Sequence, residues 1–114
     1  MVNTIKKNQN LTGVKNTGML FANKIRESRE SRQVLQCHIS AVLDIDNAMY
    51  CKIERNDRQA KREQIPLIAK ILQADPEELL ALWLADQVTA VVEEDKEISD
   101  KVLDTAKNTV KNYV

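Results

Sequence analysis

The sequence predicts an all-α fold, and three observations predict it. Only two glycines and two prolines occur in 114 residues, too few turn residues for a strand-rich chain but well suited to helices joined by short turns. Apolar residues recur at i, i+3 and i+4 in successive segments, the period of a helix buried on one face. Two acidic residues, Asp46 and Asp75, stand immediately before such segments, where a helix needs an N-cap. At this length the chain has room for one compact domain and an appended helix, not for two independent cores.

Residues 1–18 carry Lys6, Lys7 and Lys15, no acidic residue and both glycines, Gly13 and Gly18; they are expected to be a flexible basic arm. The domain proper is expected over 19–92. Its first helix starts at Met19, with Phe21, Ile25 and Arg29 on one face, and ends near Arg32. A shorter second helix, 34–43, turns Ile39, Ser40 and Leu43 inward. Asp44-Ile45-Asp46 interrupts the pattern, and Asp46 caps a third helix, 47–55. Asn56-Asp57 is a turn signal, because asparagine tolerates the left-handed backbone that closes many helices. Past the basic loop 58–62, a fourth helix buries Ile65, Ile68, Ala69 and Leu72, with Pro66 near enough to its start to be tolerated. Asp75-Pro76-Glu77-Glu78 is a strong helix start: a cap, a proline in the first turn and two carboxylates at the positive end of the dipole. The fifth helix carries Leu79, Leu80, Leu82, Trp83 and Leu84 and can extend to Val88, Val91 and Val92. After Glu93-Glu94-Asp95, residues 93–114 form a last amphipathic helix with Ile98, Val102, Ala106, Val110 and Tyr113 in one stripe.

Net charge is zero, but it divides along the chain. Residues 1–62 hold 12 Lys and Arg against 6 Asp and Glu, and residues 63–114 hold 5 against 11. A first half at +6 suits a polyanion, and a second half at −6 needs a different role. No apolar run reaches the roughly 20 residues of a membrane span, and no secretory leader is visible, so a cytoplasmic protein without membrane contact is expected. Cys37 and Cys51 are too few for a disulfide scaffold and are expected to be free thiols. A single histidine, no glycine-rich phosphate loop, no metal-ligand spacing and no Gly-x-Ser-x-Gly turn make an enzyme the least favoured class. No cofactor and no metal are expected.

The informative stretch is 36–55. Gln36 opens a helix anchored by Ile39 and Leu43, small Ser40 permits close approach of a partner helix, and a three-residue turn leads to a second helix anchored by Tyr50 and Ile53. That second helix offers Asn47, Ala48, Met49 and Lys52 outward. With Lys52-Ile53-Glu54-Arg55 as its most specific piece, the stretch from about Leu20 to Leu84 resembles the Xre family of helix-turn-helix regulators, related to phage repressors and Cro proteins.

The resemblance implies a five-helix repressor-like domain, here with an additional C-terminal helix, whose recognition helix 47–55 enters the major groove of double-stranded DNA, two subunits reading two half-sites. It assigns base reading to Asn47, Ala48, Met49 and Lys52. Gln36 is expected to touch a phosphate or brace Asn47, and Arg55, Arg58, Lys61 and Arg62 to fix register through phosphates. Arg29 and Glu54 are expected to form a structural ion pair. Asp44 and Asn56 stand where the family often has glycine, and Cys37, His38 and Cys51 are unusual. A metal or redox role for those three is disfavoured, because Cys37 and His38 point about 100° apart on one helix and no fourth ligand follows.

The acidic half is expected to serve homodimerisation, with Trp83, Val88, Val91, Ile98, Val102 and Val110 as interface candidates; the alternative is a tail packed back on its own domain. The leading expectation is a sequence-specific transcriptional regulator, similar in size to small controller-type proteins of restriction-modification operons. The competing expectations are an antitoxin that represses its own operon, with a toxin as partner, and an interaction module that has kept the fold without DNA binding.

Overall fold

The computed structural model describes residues 19–112; the expected basic arm, 1–18, and Tyr113 lie outside them. The fold is all-α. Among the described residues the elements are α1 Leu20–Ser31, α2 Gln36–Leu43, α3 Asn47–Glu54, α4 Ile65–Leu72, α5 Pro76–Val92 and α6 Ser99–Asn112, with 3₁₀ turns at Arg62–Gln64 and Glu93–Ile98 and no strand. The first five helices enclose one core, and α2 and α3 form the helix-turn-helix.

That core is built from one face of each helix. Phe21 and Ile25 of α1, Ile39 and Leu43 of α2, Tyr50 and Ile53 of α3, Ile65, Ile68, Ala69 and Leu72 of α4, and Leu79 of α5 are all buried. These are the inward positions that the periodicity of 3.6 selects. Ser40 is buried as well, small enough for α2 to lie close to its neighbours.

Helix α2 begins two residues later than the apolar pattern suggests. Leu35 is extended, and Val34 is held in the connection at both polar groups. Its N–H donates to the Arg29 carbonyl at 3.0 Å, and its carbonyl accepts from the Arg29 guanidinium at 3.1 Å.

The first four helices end alike. Gln33, Asp44, Asn56 and Gln73 have φ between 55° and 63°, and the residue after each donates back five positions: Val34 to Arg29, Ile45 to Ser40, Asp57 to Lys52 and Ala74 to Ala69. This is the Schellman closure, which satisfies the last carbonyls and reverses the chain within a few residues. Glycine is the usual residue at its left-handed position; none of these four is glycine.

Helix α5 ties the domain together. Its Asp75 caps its own start, accepting from the Glu77 N–H at 3.1 Å. Asp86 caps a different helix: its two oxygens accept the N–H groups of Leu20 and Phe21 at 2.9 and 3.0 Å. Met19 offers no side-chain cap to α1, so the missing acceptor comes from more than sixty residues away. Trp83 packs on the core and donates its indole N–H to the Ala60 carbonyl at 2.9 Å, pinning the loop that leaves α3.

Beyond Val92 the character changes. Asp95 has non-helical backbone angles inside the 3₁₀ turn, so α6 does not continue the axis of α5. Every described residue from Lys101 to Asn112 is exposed, which rules out the tail packed back on its own domain. Trp83 belongs to the core, whereas Leu84, Val88, Val91, Ile98, Val102, Leu103 and Val110 stay exposed. No helix among the described residues is long and apolar enough to cross a membrane.

Candidate nucleic-acid interface

Helices α2 and α3 are joined by Asp44-Ile45-Asp46. Asp44 takes the left-handed turn, and Asp46 accepts from the Met49 N–H at 2.7 Å to cap α3. With its start fixed in this way, α3 turns Tyr50, Ile53 and Glu54 inward. At about 100° per residue the opposite face is centred on Ala48, Lys52 and Arg55, and all three are exposed. Asn47 is exposed at the N-terminal end, and Met49 is half-buried at one edge. The structure therefore brings together Asn47, Ala48 and Lys52 on one accessible surface, with Met49 partly withdrawn from it.

What fixes the orientation of α3 is a buried polar network. Glu54 is 3 % exposed and Arg29 15 %. Arg29 Nε donates to Glu54 Oε2 at 2.6 Å and Nη2 donates to Oε1 at 3.2 Å, a bidentate pair that sets geometry as well as charge. Gln36 Nε2 donates to Glu54 Oε1 at 3.0 Å, and the Cys51 thiol donates to Gln36 Oε1 at 3.0 Å. Residues of α1, α2 and α3 thus meet at one carboxylate.

Burial alone pushes the Glu54 carboxyl up, but the hydrogen bonds from Arg29 and the Gln36 amide, together with the dipole of the nearby Tyr50 hydroxyl, outweigh it and hold it below the ordinary range. The Arg29 guanidinium is raised, chiefly by its hydrogen bonds to Glu54. Tyr50 is pushed far up, first by burial and then by the adjacent carboxylate. Its hydroxyl lies beside Glu54 but meets no partner in hydrogen-bond geometry.

The expected phosphate-binding residues divide. Gln36 is half-buried and committed to Glu54 and Cys51 rather than to Asn47. Arg55, Arg58, Lys61 and Arg62 are exposed, spread along the segment that follows α3. Arg55 forms a surface pair with Asp57 at 3.1 Å, of the exposed kind that adds little. Arg58 lines a groove of about 310 Å³ with Asn56, Ala60, Trp83 and Gln87, whereas Arg62 lines another with Ile65, Pro66, Pro76 and Leu80. Lys61 closes a small capping loop, its N–H donating to Gln64 Oε1 at 2.9 Å.

Four contacts were not read from sequence: the Gln36–Glu54 bond, the Cys51–Gln36 bond, the reach of Asp86 to α1 and the Trp83–Ala60 bond. Each joins residues distant in the chain. Only the Trp83 indole left a signal, since a packed tryptophan needs an acceptor for its N–H. Among the described residues no group of three His, Cys, Asp or Glu side chains is placed to hold a metal ion, and Cys37 is an exposed free thiol. No family model, curated protein or solved structure matches this chain.

Proposed function

We propose that this chain is a sequence-specific regulator that lays α3 in the major groove of double-stranded DNA. The observation that carries the reading is the division of α3 into two faces. One is locked to α1 and α2 by the Arg29–Glu54–Gln36 network, and the other presents Asn47, Ala48 and Lys52 to solvent. Asparagine suits adenine, lysine reaches guanine O6 or N7, and alanine contacts a thymine methyl. The exposed cations from Arg55 to Arg62 supply phosphate contacts beside that helix. Repression of transcription, cytoplasmic location and action as a homodimer belong to the same reading, because one short helix reads few base pairs and duplication supplies specificity.

A second reading, an antitoxin or an interaction module on the same fold, is favoured by the uncovered apolar surface of α5 and α6. Selection of bound fragments from random duplex DNA separates the two. The regulator enriches a short motif, and Lys52→Ala then weakens the selected site roughly 10- to 100-fold while leaving unrelated DNA unchanged. Arg62→Ala weakens every sequence and flattens the salt dependence. No enrichment, or an equal loss on all sequences from Lys52→Ala, removes α3 from base reading.

A further inference from the structure

The tail has an apolar surface with no occupant in its own chain. Val88 and Val91 on α5 are 46 % and 76 % exposed, and Ile98, Val102, Leu103 and Val110 are 49 %, 37 %, 41 % and 59 % exposed. On α6 the charged residues Asp100, Asp104, Lys107 and Lys111 form a row along one flank of the stripe, as the helical period requires. This is a helix shaped for burial on one side and buried on neither.

We infer that the occupant is a second copy of this chain, the two tails packing antiparallel about a two-fold axis near Ala106. The exposed apolar side chains Ile98, Val102, Leu103 and Val110 lie together along α6 as one patch and not as scattered single residues. A two-fold axis lets one stripe serve both sides, since each copy offers the same patch to the other.

Charge selects the orientation. Residues 93–100 hold five acidic side chains against Lys96, a net −4, and residues 101–112 hold three lysines against Asp104, a net +2. Antiparallel pairing sets the aspartates in the first half of α6 in each copy beside the lysines in the second half of α6 in the other, whereas parallel pairing stacks like upon like. Centred between Thr105 and Ala106, the antiparallel order also brings Asp100 level with Lys111 and Asp104 level with Lys107. The small Ala106 then falls at the closest approach of the two helices.

This pairing would supply the second subunit that the regulator reading calls for, yet it rests on the tail alone. Its test omits DNA, so the failure of either leaves the other standing. Sedimentation equilibrium of the full chain from about 1 to 100 µM is expected to give twice the 13.0 kDa of the monomer. The double substitution Val102→Asp, Val110→Asp is expected to shift the midpoint of association at least 100-fold. Because both positions are exposed, its circular dichroism should match that of the native chain. For orientation, Ala106→Cys should cross-link between copies under mild oxidation and Ile98→Cys should not, with the native chain reporting what Cys37 and Cys51 do unaided. A single 13.0 kDa species throughout overturns the proposal and hands the stripe to a different protein. An undiminished dimer in the double variant overturns the interface, and equal cross-linking at 98 and 106 overturns the antiparallel order.

Discussion

Helices α3 and α6 are opposites in what they hide. The eight residues of α3 bury two apolar side chains and a carboxylate and present polar groups outward, whereas the fourteen of α6 bury nothing and present valine and leucine. A helix as short as α3 has little intrinsic stability in water; its place is set by an aspartate cap, a tyrosine and isoleucine in the core, and a salt bridge to α1. Helix α6 is longer but has no core to fix it. The first surface is finished as it stands, while the second is complete only with something laid against it.

The largest expected effect breaks the finished side. Glu54→Gln leaves the Arg29 charge without its counter-ion in a largely enclosed site, and urea unfolding at pH 7 should record a loss of about 3 kcal/mol. The acid dependence follows from the lowered Glu54 carboxyl. Its contribution is complete above the unfolded value of about 4.3 and disappears as pH falls through the lower folded value. The gap between the native and Glu54→Gln chains in unfolding curves taken from pH 7 to pH 3 should therefore be constant above about pH 5 and narrow toward the acid end. A constant gap across that range would mean that Glu54 acts through packing and not through its charge.

Much of this half was legible in the sequence because its signals are local. The inward positions Ile39, Ser40 and Leu43, the Asp46 cap and the Arg29–Glu54 pair all appear where spacing and resemblance place them. Asp44 and Asn56 were readable as left-handed turns because their side chains favour that backbone. Gln33 and Gln73 were not, since glutamine has no such preference and tertiary closure alone drives them there. The absence of a partner for α6 was equally hidden, because an amphipathic stripe looks the same in sequence whether it faces its own core or another chain.

A smaller change sharpens the same point. Gln33 holds a positive φ of 59° with an exposed side chain, so Gln33→Gly removes left-handed strain at some expense in unfolded-chain entropy. The net gain should be about 0.5–1 kcal/mol. Asn56→Gly should gain less, since asparagine bears that conformation more easily. A thermal midpoint that falls in Gln33→Gly would show that the turn is set by the glutamine side chain and not by the backbone alone.

The smallest effect is expected where the most residues are removed. Ending the chain before Lys96 deletes all of α6, yet it takes away no buried side chain of the core. At low concentration, where a monomer prevails, its unfolding free energy should change by no more than about 0.5 kcal/mol, the range of surface changes that touch no special feature. At higher concentration the two chains should part company. Association adds stability by mass action, so the midpoint of the full chain should climb with protein concentration, while that of the shortened chain should stay level. A loss of several kcal/mol already present at high dilution would mean that α6 supports its own domain, and the contrast between a finished and an unfinished surface would then fail.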